Sequence, residues 1–153
     1  MSEWSAVLKM VGDAVGVRHL RPTFEKLQAF EAGIYLVQCA GVDMGYGFLP
    51  VDGLPHSRAL MVDYDRLVQE RPNKSLVIGP EAGGKIATLR SAITKPKQYA
   101  GTWDEWLIFV AGVAMASKNV VSEDTPPGNA KSEPPEGWAA RIRESLNGAG
   151  IAA

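Results

Sequence analysis

Apolar residues open the chain at helical spacing. Trp4, Val7, Leu8, Val11 and Val15 lie on one stripe of a 3.6-residue period, with Ser2 placed to cap the helix and Gly16 to end it. After the basic connection Arg18-His19-Leu20-Arg21-Pro22, Thr23 predicts the start of a second helix. That helix carries Phe24, Leu27 and Phe30 on one face and takes Gly33 as its stop. The pattern then changes. Ile34 to Ala40 is a run of strand formers too short for a helical period to develop, which predicts a mostly buried strand. Gly41 to Gly45 offers turn chemistry, Tyr46 to Val51 supplies a partner strand, and Asp52-Gly53-Leu54-Pro55 closes the expected antiparallel hairpin.

Ser57 predicts the cap of a third helix, because Leu60, Met61, Tyr64, Leu67 and Val68 follow the i, i+3, i+4, i+7 rule before Pro72 forbids continuation. Ser75 to Gly79 reads as a short strand. Gly83 and Gly84 lead into a fourth helix with Ile86, Leu89 and Ile93 on its apolar side, ended by Lys95-Pro96. Thr102 and Glu105 have the T-x-x-E spacing in which each side chain satisfies a free backbone amide, so a fifth helix starts there. It is apolar almost all the way round from Trp106 to Met115. A helix of that kind is surrounded by its own fold or packed on another molecule.

From Ser122 to Gly137 the residues are mainly Ser, Glu, Pro, Gly, Asn and Lys with almost nothing apolar, a composition that cannot offset the entropy of ordering a backbone. Beyond this expected linker, Trp138, Ile142 and Leu146 recur at four-residue spacing and describe a short amphipathic helix. The domain reading is therefore a globular α/β domain over 1–121, a flexible linker over 122–137 and an amphipathic tail segment over 138–153. Its fold class is α+β, a small mixed or antiparallel sheet packed with four to five helices and followed by a disordered tail.

Composition narrows the function classes. With 153 residues, 46% of them hydrophobic and 22% charged, the chain has the makings of one globular domain. A formal net charge of −1 gives no global field towards nucleic acid or anionic lipid, so such contacts would have to be local. The N-terminus does not read as a secretory signal. The most apolar segment, Trp106 to Ala116, has about 11 residues where a membrane span needs roughly 20. The single cysteine, Cys39, excludes an intramolecular disulfide, and its apolar neighbours argue for an inert buried thiol. The expected setting is cytoplasmic or inside a viral particle, with no membrane association.

Candidate chemistry is sparse. Gly79-Pro80-Glu81-Ala82-Gly83-Gly84-Lys85 has the G-x-x-x-x-G-K spacing of a phosphate-binding loop, but Ile86 stands where a magnesium-holding Ser or Thr belongs and Glu81 places a negative charge among the phosphates. An ordinary turn into a helix is the better reading. Gly83, Gly84, Lys85, Arg90, Lys95 and Lys97 remain the candidates for phosphate or nucleic-acid contact. His19 and His56 have no metal-ligand spacing and sit in turns, so neither metal nor cofactor is expected. Asp63 and Asp65 point to different faces of the third helix. For protein contact the candidates are Ile108, Phe109 and Met115 on helix 103–118 and Trp138, Ile142 and Leu146 in the tail. The leading expectation is a non-catalytic binding or assembly accessory protein, a homodimer recruiting a protein partner through its tail or helix 103–118, in microbial or viral particle assembly or genome packaging. The alternative is nucleic-acid or phosphate binding through the Gly79 to Lys85 loop and its basic neighbours.

Overall fold

The computed structural model describes residues 3–73, 76–118 and 137–151. Six helices, α1 (Glu3–Val15), α2 (Phe24–Cys39), α3 (Arg58–Glu70), α4 (Pro80–Ala92), α5 (Trp103–Lys118) and α6 (Trp138–Gly148), pack with one two-stranded antiparallel sheet, β1 (Leu49–Val51) and β2 (Leu54–His56). Helices with a small antiparallel sheet are thus the architecture, as the hydrophobic pattern indicates. Of the expected linker over 122–137, residues 122–136 lie outside the described residues, and Gly137 is the N-cap of α6.

The sheet is built from different residues than the pattern suggests. Ile34 to Cys39 is the second half of α2, not a strand. Residues 29–37 of this helix are buried on every side, and a helix without a polar face shows no amphipathic period. Gly33 is not a stop. A Cβ there would lie 2.9 Å from Val15 Cγ1, so this glycine lets α1 approach α2. The hairpin is instead formed across Asp52-Gly53, both with positive φ, pairing Leu49 with His56 and Val51 with Leu54. Asp-Gly supplies the primed turn whose twist matches a two-residue hairpin. Residues 76–79 form no strand. Gly79 caps α4 and Pro80 occupies its first turn, where the missing N–H costs nothing.

Other boundaries follow their local chemistry. Thr23 accepts the amide of Lys26, Ser57 that of Leu60, and Thr102 and Glu105 exchange their capping hydrogen bonds. Gly16, at φ +94°, ends α1 where Trp103 Nε1 donates to Val15 O at 3.0 Å. Ser2 lies outside the described residues.

α2 and α5 form the central pair, with α1, α3, α4, α6 and the hairpin around them. Residues 106–115 of α5 are all buried, covered by α2, α6 and β2. Burial within one chain accounts for its all-round apolarity, which therefore no longer argues for a second copy. Trp106 ties this core together. Its Nε1 donates to Ile93 O at 2.7 Å, and the edge of Trp138 meets its ring at a centroid distance of 5.7 Å. No helix among the described residues is long and apolar enough to cross a membrane.

Candidate functional site

A cleft lies where the corner between α1 and α2 meets the first turns of α2 and α5. It has a volume of about 670 Å³, and its lining includes His19, Arg21, Phe24, Lys26, Asp104 and Ile108. Such a volume falls within the range of ordinary ligand clefts. Phe24 stands at its mouth with 69% of its surface exposed, while Ile108 is buried at 8%. The exposure of Phe24 follows from helix geometry. Residues 24, 27 and 30 advance by less than a full turn at each step, leaving Phe24 about 120° round the helix from the buried Phe30.

Three ties fix the walls. Tyr64 of α3 donates its hydroxyl to Arg21 O at 2.8 Å, and burial of that phenol pushes its pKa up to about 12. Lys26 Nζ meets Asp104 Oδ2 at 2.7 Å, joining the first turns of α2 and α5. Glu105 accepts hydrogen bonds from the Thr102 amide and hydroxyl at the start of α5. His19 holds a left-handed backbone at φ 57°, a conformation uncommon outside glycine, which gives the corner its sharp bend.

A second polar feature lies in the core. Glu31, 3% exposed, accepts the Ser57 amide at 2.9 Å, and the same oxygen lies 2.9 Å from His56 Nδ1. Burial holds its carboxyl above the ordinary carboxylate value, against the opposing pull of the Ser57 amide and of His56. The arrangement fastens α2 to the hairpin and to the first turn of α3. Reading 34–40 as a strand hid it, because only a continuous α2 carries Glu31 into the interior.

The sequence candidates are dispersed. Gly83, Gly84 and Lys85 are inside α4, and the Gly83 amide is already donated to Gly79 O at 2.9 Å. Lys85 reaches Gly41 O and Glu81, Arg90 donates to Ala14 O and lies over the Trp103 ring, and Lys95 donates to Gly101 O. Lys97 is exposed and, among the described residues, has no such tie. Phe109 and Met115 are core residues of α5, and Trp138, Ile142 and Leu146 pack back onto the chain through α6. Ile108 borders the cleft. Asp63 accepts the Tyr46 hydroxyl, which in turn accepts Trp4 Nε1. Cys39 is half-buried. Among the described residues there is no group of three or more His, Cys, Asp or Glu side chains that could hold a metal ion. Comparison with protein-family models, curated proteins and solved structures gave no match.

Proposed function

We propose that this chain is a non-catalytic binding protein, an adaptor or assembly accessory, that holds a protein partner in the cleft between residues 19–28 and 102–108. The carrying observation is Phe24, a large aromatic side chain 69% exposed at the mouth of a cleft with apolar Ile108 in its lining. Large side chains desolvated in a pocket near the centre of an interface carry much of its binding energy. The partner surface is thus displaced from the tail to the first turn of helix 103–118, since Trp138, Ile142 and Leu146 are already buried within the chain.

Native co-purification with Phe24→Asp tests the reading, with Val77→Asp as control because Val77 is also exposed, at 95%, but lies outside the cleft. The proposal expects a protein partner that is retained by wild type and the Val77 variant and lost by the Phe24 variant. Retention of the partner by Phe24→Asp, or capture of nucleic acid alone that salt releases from all three, would refute it.

A further inference from the structure

α3 packs on α1 and α2 and buries Leu60, Tyr64 and Leu67, and none of its residues lines the cleft. Its outward side is therefore a surface separate from the one proposed above. Met61 and Val62 stand there, 37% and 53% exposed. Of the five charged residues on α3, two are engaged by other elements, since Asp63 accepts the Tyr46 hydroxyl and Glu70 the Ser5 hydroxyl. Arg58, Asp65 and Arg66 are exposed, and among the described residues none of the three has an ion pair. Asp65 accepts only the Gln69 amide of its own helix, at 3.1 Å.

Helix geometry sets these groups in a definite order. Arg58 and Asp65 lie within about 20° of one line along the helix and about 10 Å apart, with Met61 and Val62 between them on either side of that line. Along the face the order is positive, apolar, apolar, negative, which is complementary to itself when reversed. A second α3 laid antiparallel about a two-fold axis between Met61 and Val62 sets Arg58 of each copy against Asp65 of the other. Met61 of each copy then meets Val62 of the other. A parallel pair would oppose like charges instead. Arg66, about 80° round the helix from Arg58, falls on the flank beside Ala59 of the second copy, where its head group stays in water. Each carboxylate of the face is thus matched by a cation, and the one surplus positive charge per copy is solvated.

We infer that the chain self-associates as a two-fold dimer through the outward face of α3, with two ion pairs between Arg58 and Asp65 bracketing a centre of Met61 and Val62. A single pair of 13-residue helices covers less than a standard interface, so the association is weak and depends on concentration. In sedimentation equilibrium of the full chain, the average mass is expected to rise from 16.4 kDa towards twice that value between about 10 μM and about 1 mM. Arg58→Asp and Asp65→Arg each turn two attractions per dimer into two repulsions and are expected to weaken it about tenfold or more. The double exchange Arg58→Asp with Asp65→Arg restores both pairs with reversed polarity and is expected to return affinity to within about threefold of wild type. Both positions are exposed, and a carboxylate suits the first turn of a helix, so the Arg58 variant keeps the fold.

A wild-type chain that stays at 16.4 kDa at about 1 mM would overturn the inference. Association that neither single exchange weakens, or a double exchange no tighter than the single ones, would do the same. Loss of association on Phe24→Asp with Arg58→Asp leaving it intact would place the contact between copies in the cleft and refute the α3 dimer.

Discussion

Trp138→Ala is the perturbation that most directly probes how α6 is held. The ring is 9% exposed, its edge meets Trp106 at an interplanar angle of 85°, and the Arg141 guanidinium lies 5.8 Å from its centroid. Truncation of a buried aromatic side chain to alanine costs about 3–5 kcal/mol. The place of Trp138 at the first position of a peripheral helix puts the expected value near the lower end, about 3 kcal/mol. Among the described residues α6 packs chiefly on α5 and α4, so the loss falls on local detachment before global unfolding. A loss of about 3 kcal/mol raises the detached population roughly a hundredfold. Trypsin under native conditions reads this population as the rate of cutting after Arg141 and Arg143, provided that closing is faster than cleavage. The expected outcome is a rise of about a hundredfold at those two sites, followed by fragment mass. A rate within about twofold of wild type would refute the packing of Trp138 against Trp106.

Glu31 gives a pH-dependent prediction. Its carboxyl is raised by burial, so between the ordinary value of 4.5 and the folded value the native state binds more protons than the unfolded state, and this group's contribution to stability falls as pH rises. Glu31→Gln should flatten that dependence in denaturant titrations. Glu31→Ala should cost about 1–3 kcal/mol more than Gln, because the buried Ser57 amide loses its acceptor. Equal stability of the two variants would contradict the role given to the carboxylate. Gly33→Ala places a methyl group 2.9 Å from Val15 Cγ1 and should lower stability by about 1–3 kcal/mol in thermal melts, although alanine is the better helix former. A stabilised variant would show that α1 and α2 are not in close contact.

Capping chemistry was legible because it is local. Ser57 and the Thr102 to Glu105 pair announce their helices within four residues, and the structure returns both. The second half of α2 was illegible because a helix buried on all sides carries no polar stripe, and β-branched and aromatic residues such as Ile34, Tyr35 and Val37 mimic a strand. Tertiary burial overrode propensity there. Gly33 and Gly83 misled for a related reason: the first is a contact glycine and the second an interior helix residue, and spacing alone cannot separate these from a helix stop or a turn leading into a helix.

The cleft depended on contacts between distant residues. Lys26 with Asp104 and Tyr64 with Arg21 are separated by 78 and 43 positions. A signal was nonetheless present in Phe24, which follows a capping threonine and falls off the buried stripe of its own helix. The four-residue spacing of Trp138, Ile142 and Leu146 places them on one side of α6, where all three are buried. That apolar face is spent on Trp106 and the rest of the core.

Amide hydrogen exchange of the full chain, alone and saturated with the captured partner, tests the central claim most directly. The account predicts slowed exchange concentrated in residues 19–28 and 102–108, with α4 and residues 138–151 unchanged. Protection confined to α4 or to residues 138–151, with the cleft exchanging as in the free protein, would contradict it.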